Sequence, residues 1–347
     1  MERVMSEIVN YLVALDDYEV ILILMSNREN HYGLKENIQI IRPNDQDQRN
    51  MFNTFLYLRK TLKRIRPYSL LSFGSMYNSF VILASLHLNI NVYVSDRSNP
   101  RRNTYFTLKK NPIERHDGFV HFLLKRILYK RTKGIFAQTK LSKSIEENTL
   151  KHKNVVYIPN PIKHIRNENN KGRENIILNV GRFIKTKQQI VLIDIFDEIQ
   201  NYDWRLVFLG DGPELEDAKK YAAKLKTSER IIFEGNVTNV DKYYKKAKIF
   251  AFTSMSEGFP NALGEALNSN LACVAFDCEA GPSDLIINDY NGFLVELNNV
   301  EKYQEKLSLL MSQKDLRKRF IENSKIHMNE NFNRDKILKK IKENLIA

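Results

Sequence analysis

Two glutamates on either side of a glycine-containing turn have the types and the spacing for sugar chemistry. Glu257 and Glu265 are separated by seven residues in TSMSEGFPNALGEALNSN, 253–270, between a strand pattern and a helix pattern. Gly258 lets the backbone approach a ligand closely, and Pro260 suits a first helical position. A helix start favours phosphate, and carboxylates accept hydrogen bonds from sugar hydroxyls. Two solvated helix-cap glutamates are the alternative.

A pair of cations follows another strand pattern. In NVGRFIKTKQQIVLI, 179–193, the strand ends at Gly181, and Arg182 and Lys187 come before a helix. Open parallel sheets bind ligands at the carboxyl ends of their strands. An arginine fork and a lysine point charge there suit a diphosphate and can stabilise it as it departs. The alternative is that both are ordinary surface cations.

Two further strand ends carry glycine turns. GDGP at 210–213 closes one strand, and we assign Gly210 a mainly structural role. Gly235, Asn236 and Val237 follow another strand in FEGNV. Backbone groups there could hold a nucleobase, because this turn falls on the same expected sheet edge as the cations.

The elements that position these residues alternate between strand and helix patterns. Apolar runs with little internal alternation predict α/β architecture, with parallel sheets covered by helices on both faces. The predicted strands of the first half are 18–24, 68–73, 91–95, 134–138 and 155–158. Those of the second half are 175–180, 204–210, 230–235, 248–253, 271–277 and 292–297. The polar segment 161–175 is the best linker between the two halves.

Composition restricts the class of protein. With 347 residues and 43% hydrophobic residues, each half can bury a core. No apolar run reaches the length of a membrane span, and the N-terminus lacks the apolar core of a signal peptide. Cys273 and Cys278 are too few for a disulfide framework, and no Cys or His cluster suggests zinc. These features predict a cytoplasmic protein with reduced thiols.

The net charge of +13 favours an anionic partner. Between Arg101 and Lys143, twelve basic residues are opposed only by Glu114 and Asp117. No zinc-finger, RNP or helix-turn-helix signature supports nucleic acid as that partner.

Part of this basic region has the pattern of an amphipathic helix. Segment 117–131 combines apolar residues with four cations, Lys125, Arg126, Lys130 and Arg131. Such a helix can lie on an anionic membrane surface, or it can pack on a core with a solvated basic edge. The sequence leaves both open.

The order of the motifs indicates a resemblance. VGRFxxxK, LGDGP, FEGNV, SEGFPNALGEAL, a Gly-Pro-Ser-Asp segment and YNGFLV resemble the family-4 retaining glycosyltransferases of the GT-B fold. The match runs from about Ile158 to the C-terminus, and the first half matches more loosely. The resemblance is closest to transferases that build bacterial lipid-linked glycans and capsular polysaccharides.

The resemblance implies two doubly wound, Rossmann-like domains that face each other across a cleft. Their expected bounds are 1–160 for the acceptor-side domain, 161–174 for the linker and 175–330 for the nucleotide-sugar-binding domain. The helix at 331–347 is expected to cross back to the first domain.

The resemblance also implies roles for the motif residues. Glu257 matches a glutamate that contacts the donor sugar, and Glu265 matches one that contacts the ribose. Arg182 and Lys187 match the pair that holds the donor diphosphate. The loop whose backbone lies against the sugar and phosphates is matched by Gly258, Phe259, Asn261 and Ala262.

The chain departs from the family after the predicted strand VYVS. Family members often carry there a histidine that faces the reacting sugar, and this chain has SDRSNP, with Arg97 near that place. Arginine cannot act as a general base at neutral pH, although it could hold a phosphate or sugar oxygen. Asp96, or the leaving phosphate itself, remains as the proton acceptor.

A second departure concerns the N-terminus. The family usually opens with a strand and a Gly-rich loop, whereas this chain begins MERV. The first strand of the N-terminal domain is therefore expected to be missing from the sequence. Strands 18–24 and 68–73 would then face each other across a gap.

The expected activity is transfer of a hexose or N-acetylhexosamine from a nucleoside-diphosphate sugar, with UDP as the expected nucleotide and retention of configuration. The expected acceptor is a glycan or a polyprenyl-diphosphate-linked glycan, at the inner face of the cell membrane. No metal and no cofactor is expected. The alternatives are a nucleotide-sugar 2-epimerase of similar fold and a non-catalytic nucleotide-sugar-binding protein.

Overall fold

The chain is described by a computed structural model over residues 2–26, 33–98, 122–163, 165, 172–199 and 203–347. It forms two compact units, here called unit 1 (Met1–Pro161 with Asp335–Ala347) and unit 2 (Ile162–Arg334). Half of the linker 161–174, namely 164 and 166–171, and residues 117–121 of the expected amphipathic helix lie outside the described residues.

Parallel strands form both sheets of unit 1. The strands are β1 (Ile21–Ile23), β2 (Gln39–Ile41), β3 (Ser69–Phe73), β4 (Asn91–Ser95), β5 (Gly134–Ala137) and β6 (Val155–Tyr157). β1 pairs with β2, and β3, β4, β5 and β6 form a second sheet in that order. The sequence patterns did not predict β2.

The helices of unit 1 connect these strands. They are α1 (Glu2–Val13), α2 (Met51–Ile65), α3 (Ser75–Ser85), α4 (122–128) and α5 (Lys140–Leu150). In the described ranges of the chain, no helix is both long and apolar enough to cross a membrane.

Unit 2 contains one parallel sheet of six strands, in the order β12-β11-β10-β7-β8-β9. The strands are β7 (Ile176–Val180), β8 (Arg205–Leu209), β9 (Ile231–Phe233), β10 (Ile249–Phe252), β11 (Ala272–Asp277) and β12 (Phe293–Glu296). The helices are α6 (Gln189–Ile199), α7 (Leu215–Ala222), α8 (Asp241–Lys246), α9 (Asn261–Asn268), α10 (Pro282–Leu285), α11 (Val300–Ser312) and α12 (Lys314–Asn331).

The last helix, α13 (Arg334–Ile346), packs into unit 1. Ile337, Leu338 and Ile341 of α13 share a buried cluster with α1 and with Phe73 and Tyr93 of the sheet. The neighbouring strand residues point to the opposite face, where they pack with α2 and α3. Because both faces of the sheet are buried, its strands are continuous apolar runs in the sequence.

The sheet of unit 2 is also buried on both faces. Ile177, Phe208 and Val274 belong to one hydrophobic cluster, whereas their chain neighbours belong to a second cluster. Since all strands are parallel, the loops that follow β7, β8, β9 and β10 emerge at one edge. These loops carry the motif residues.

A buried polar network lies next to the end of β4 in unit 1. Asp96 accepts hydrogen bonds from the ammonium of Lys125, from the hydroxyl of Tyr129 at 2.6 Å and from the amide of Asn78 at 3.2 Å. The interpretation of Lys125 as a membrane-facing cation is therefore wrong, since this side chain is buried. The helical period of the sequence indicates a basic helix, but it cannot show that Lys125 faces Asp96. A buried carboxylate needs a charged partner, and Lys125 is that partner.

Glu146, on α5, is a second buried carboxyl near this network. Within the described residues, its Oε2 atom has no hydrogen-bond partner. Burial and, to a smaller extent, the charge of Asp96 raise the pKa of Glu146 to about 8, against an opposing effect of Lys125. At neutral pH the carboxyl is therefore largely protonated.

We expect Glu146→Gln to stabilise unit 1 at alkaline pH. The folded chain holds the proton up to about pH 8, whereas an ordinary glutamate releases it near 4.5. Folded protein therefore binds more protons in this window, and its stability falls as the pH rises from about 4.5 to about 8. Glutamine removes this dependence, so the difference in hydrogen-exchange protection of β4 and β5 between variant and wild type should grow from pH 5 to pH 8.

The control is Glu147→Gln. Glu147 is exposed and pairs with Lys143 at 3.6 Å, one helical turn away. Its replacement should leave the pH dependence of unit 1 unchanged. An equal gain for Glu146→Gln at pH 5 and pH 8 would contradict the assignment of a buried, protonated carboxyl.

Candidate active site

The loop after β7 carries the two predicted cations. Gly181 and Arg182 follow the strand, and a 3-10 turn at Lys185–Lys187 leads into α6. The side chain of Arg182 is exposed, whereas that of Lys187 is only 22% exposed. The amide of Gln189 donates a hydrogen bond to the carbonyl of Arg182 at 3.0 Å and so ties the loop to the helix.

Lys187 and Glu257, from separate motifs, form an ion pair. The ammonium of Lys187 donates to Oε1 of Glu257, whose side chain is 11% exposed. Two further bonds join their loops. The hydroxyl of Thr253 donates to the carbonyl of Lys187 at 3.0 Å, and the N–H of Met255 donates to the carbonyl of Thr186 at 2.8 Å. The loops after β7 and β10 therefore present one shared set of charges.

Glu265 is the fifth of the eight residues of α9 and is 7% exposed. The hydroxyl of Tyr244, which is buried, lies 3.2 Å from Oε2 of Glu265 and 3.2 Å from the carbonyl of Ala262. Tyr244 was not predicted as a site residue. The helix begins at Asn261, so Pro260 is its N-cap and not its first helical residue as expected.

The predicted loop residues differ in what they can offer a ligand. Gly258, Asn261 and Ala262 are half-buried. Phe259 is buried, and its ring lies 6.4 Å from that of Phe332 in the hydrophobic core. Only the backbone of Phe259 can therefore reach a ligand.

Two glycines allow the loops after β7 and β8 to touch. A Cβ on Gly210 would overlap the carbonyl oxygen of Gly181, and a Cβ on Gly212 would overlap the backbone of Phe183. Both glycines have positive φ, +135° and +155°. The N–H of Phe183 donates to the carbonyl of Asp211 at 3.0 Å across this contact.

A cavity of about 410 Å³ opens at this sheet edge. It includes three predicted residues, Arg182, Asn236 and Val237, and the remaining lining comes from Val180, Gly181, Leu209, Gly210, Asp211, Gly212 and Val240. Gly235 contributes structurally, because its carbonyl accepts the N–H of Gly210 at 2.7 Å. Sequence reasoning missed Asp211 and Val240, although the strand-end position of Asp211 was the available signal.

Lys187 connects the cavity with the ion pair. A Cβ placed on Gly181, which lines the cavity, would lie 3.9 Å from the Cδ of Lys187. The Cδ and Cε atoms of Lys187 thus lie beside Gly181, and the ammonium that follows them reaches Glu257. A ligand at this edge would meet cations and backbone donors, which suit anionic groups, and carboxylates, which accept hydrogen bonds from hydroxyls.

Cys278 is a buried thiol near this pair. Burial and, to a smaller extent, the charge of Glu257 raise the pKa of Cys278 to about 12, against an opposing effect of Lys187. The thiol therefore stays protonated and is a poor nucleophile.

Arg97, the predicted site residue of unit 1, lies just after β4. Its guanidinium carbon is 3.8 Å from the ring centroid of Phe73, and Nη1 donates to Oδ1 of Asn160. Asp96, considered above as a base, is occupied by Lys125, Tyr129 and Asn78.

Solved structures share this fold. The chain aligns over 99% of its length with 95% of HepE from Anabaena in complex with UDP, at 14% identity and a TM-score of 0.80. The outer core galactosyltransferase WaaB aligns over 99% of this chain and 95% of its own, at 16% identity and a TM-score of 0.73. The chain thus has the GT-B glycosyltransferase fold, with parallel sheets in two Rossmann-like units.

Sequence comparisons agree with the fold. The family model described as "Glycosyl transferases group 1" matches residues 161–327. An uncharacterised glycosyltransferase of Haemophilus influenzae is 26% identical and covers 98% of this chain and 94% of its own length. The amylovoran biosynthesis glycosyltransferase AmsD of Erwinia amylovora is 27% identical, over 92% of this chain and 88% of its own.

A third relative is named for a lipid-linked acceptor. The Campylobacter jejuni N-acetyl-D-galactosaminyltransferase whose name includes diNAcBac-PP-undecaprenol is 25% identical, over 93% of this chain and 89% of its own. Together, these findings support a glycosyltransferase whose residues 161–327 match the group 1 model and which is similar to bacterial enzymes of polysaccharide and lipid-linked glycan biosynthesis.

We expect Gly210→Ala to destabilise unit 2. The alanine would adopt a strained φ and would push Gly181 away from the cavity, at a cost of more than about 1 kcal/mol. Trp204 is the only tryptophan and lies in the core of unit 2, so its fluorescence reports the unfolding of that unit. A urea titration should show a lower midpoint for the variant.

Gly33→Ala serves as the matched control, because a Cβ on Gly33 would have no atom of the described residues within 4 Å. That substitution should leave the Trp204 transition unchanged. If Gly210→Ala also unfolded at the wild-type midpoint, close backbone contact at the loop crossing would be the wrong description.

Proposed function

We propose that this chain transfers a hexose or N-acetylhexosamine from a UDP-sugar to a glycan or polyprenyl-diphosphate-linked acceptor, with retention of configuration. The observation that carries the proposal is the Lys187–Glu257 ion pair beside a cavity lined by Arg182, Asn236 and Val237. It is further supported by relatives that are named as glycosyltransferases over most of this chain.

In the proposed site, unit 2 binds the donor. Arg182 and Lys187 hold the diphosphate, and their charges stabilise it as it leaves. Backbone groups at Gly235, Asn236 and Val237 contact the nucleobase. Glu265, oriented by Tyr244, accepts hydrogen bonds from the ribose.

The reacting sugar is proposed to lie near Glu257. The carboxylate accepts hydrogen bonds from sugar hydroxyls, and the backbone of Gly258, Phe259, Asn261 and Ala262 lies against the sugar and phosphates. Because two cations already oppose the diphosphate charge, transfer is proposed to need no metal. The leaving phosphate serves as the proton acceptor, since Asp96 is committed to a buried network.

We expect Arg182→Ala and Glu265→Gln each to weaken UDP-sugar binding by roughly 1.5–3 kcal/mol, because each loses a charge-assisted hydrogen bond. Glutamine at 265 keeps an oxygen for Tyr244, so the fold should survive. Calorimetric titration with UDP-, GDP- and ADP-sugars measures the effect. Transfer to a lipid-linked acceptor, assayed with EDTA present and with the product anomer read by NMR, tests metal independence and retention.

Arg319→Ala and Glu322→Ala are matched controls on the exposed surface of unit 2. They should bind UDP-sugar as tightly as the wild type. Wild-type affinity in both site variants would reject the donor-site assignment. Release of an epimerised UDP-sugar without any acceptor would replace transfer by epimerisation.

The proposal includes attachment to an anionic membrane surface through unit 1. On α4, Leu123, Leu124 and Ile127 are exposed, and Ile127 is 62% exposed. Lys130 and Arg131 are exposed just beyond the helix. An exposed apolar surface beside cations suits the boundary between lipid headgroups and acyl chains.

We expect the triple variant Arg126→Gln, Lys130→Gln and Arg131→Gln to lose binding to anionic vesicles. Each cation near such a surface contributes about 1 kcal/mol. Lys125 is left intact, because its replacement would break the buried pair with Asp96. Sedimentation with phosphatidylglycerol vesicles at low and high salt measures the loss.

The control removes the same charge from unit 2, as Lys220→Gln, Lys224→Gln and Lys226→Gln, all of which are exposed. It should bind vesicles as the wild type does. Equal loss in both triple variants would mean that net charge alone drives attachment, and α4 would have no special role.

A further inference from the structure

Three strand ends of unit 1 meet around one arginine. Phe73 is the last residue of β3, Arg97 follows β4, and Asn160 follows β6. The guanidinium carbon of Arg97 lies 3.8 Å from the Phe73 ring centroid, and Nη1 donates to Oδ1 of Asn160. Since the strands are parallel, all three residues lie at the carboxyl edge of the sheet, where such sheets bind ligands.

The charge of Arg97 has no ionic partner within the described ranges of the chain. Its Nε atom is buried and donates no hydrogen bond. Burial lowers the pKa of Arg97 to about 9, with no carboxylate raising it. The nearest candidate in sequence, Asp96, is already paired with Lys125. Arg97 as a whole is half-buried. A partly desolvated cation without a counter-charge is costly, and an anionic ligand would supply one.

Two other arginines show how this chain fixes a guanidinium for structure alone. Arg59 donates to two backbone carbonyls at the end of α3, at 2.6 and 2.5 Å. Arg173 donates to three backbone carbonyls of unit 2. Among the residues that the structure describes, Arg97 donates instead to a single amide oxygen, that of Asn160, and its Nε donates to none.

The backbone around Arg97 is strained and firmly held. Arg97 has a φ of +59°, in the left-handed region that non-glycine residues seldom adopt. The buried bonds of Asp96 fix the preceding residue, and the Phe73 stack and the Asn160 bond fix the side chain. Such strained, over-determined residues cluster at ligand sites.

We propose that Arg97 binds a phosphate oxyanion at this edge of unit 1. The inference rests on the proposed function, which supplies two sources of the oxyanion: the diphosphate of a lipid-linked acceptor and the diphosphate of the donor nucleotide. The donor cavity in unit 2 has cations of its own. The acceptor diphosphate is therefore the expected source, and a phosphorylated acceptor is the expected substrate class.

The test titrates geranyl diphosphate into the full chain in saturating UDP, and separately titrates UDP alone. For Arg97→Gln, the affinity for geranyl diphosphate should fall by roughly tenfold to a hundredfold, because a charge-assisted bond is lost. The affinity for UDP should stay within twofold. Arg97→Lys, which keeps the charge but loses the planar fork, should lose less.

Arg59→Gln is the matched control, because it removes a guanidinium that serves structure alone. It should lower the stability of unit 1 and leave both affinities unchanged. A second readout needs no variant: geranyl diphosphate should slow hydrogen exchange at 73–75 and 96–98 of the wild type.

The outcomes separate the possibilities. A fall in UDP affinity alone would identify the donor as the source of the oxyanion. The proposal would be overturned if Arg97→Gln bound both ligands as tightly as the wild type. It would also be overturned if geranyl diphosphate gave no exchange protection and the variant bound UDP with wild-type affinity. Binding of geranyl diphosphate through Arg97 by a chain that binds no UDP-sugar would instead reject the proposed donor site.

Discussion

The backbones of two loops in unit 2 lie so close together that no side chain fits between them. Gly210 and Gly212 face the backbone of Gly181 and Phe183, and a hydrogen bond from Phe183 to Asp211 closes the contact. Arg182 sits within this crossing and lines the cavity beside it. The cavity therefore has its place because Gly210 and Gly212 allow the two loops to touch, and the same contact places Arg182 at the cavity.

From that crossing, the chain leads directly to the charge pair. The 3-10 turn after Phe183 turns Lys187 towards the loop that follows β10, where Glu257 accepts its hydrogen bond. The hydrogen bond from the Thr253 hydroxyl to the carbonyl of Lys187 fixes the loops after β7 and β10 relative to each other. Because hydrogen bonds to the backbone hold the two loops in position, Lys187 and Glu257 can exchange the bond between them for bonds to a ligand without moving the loops.

The sequence predicted several features that depend on strand ends, although not Asp211, and missed those that depend on helix faces. Arg182 and Asn236 line one cavity because parallel strands end at one edge, and this follows from the strand–helix pattern. The contact between Tyr244 and Glu265 joins two helices, and a single sequence does not reveal their mutual orientation. Lys125 was misplaced for a related reason, since helical period cannot reveal a buried carboxylate on a neighbouring element.

Unit 1 is assembled from the two ends of the chain, because α13 returns to it after unit 2. Residues of α13 complete the cluster that includes Val4 and Ile8 of α1 and Phe73 and Tyr93 of the sheet. On the ribosome, α13 is synthesised only after all of unit 2, so until then this cluster has α1 but lacks α13. The nascent chain thus exposes part of an apolar sheet face while unit 2 is being synthesised, a condition under which chaperones bind.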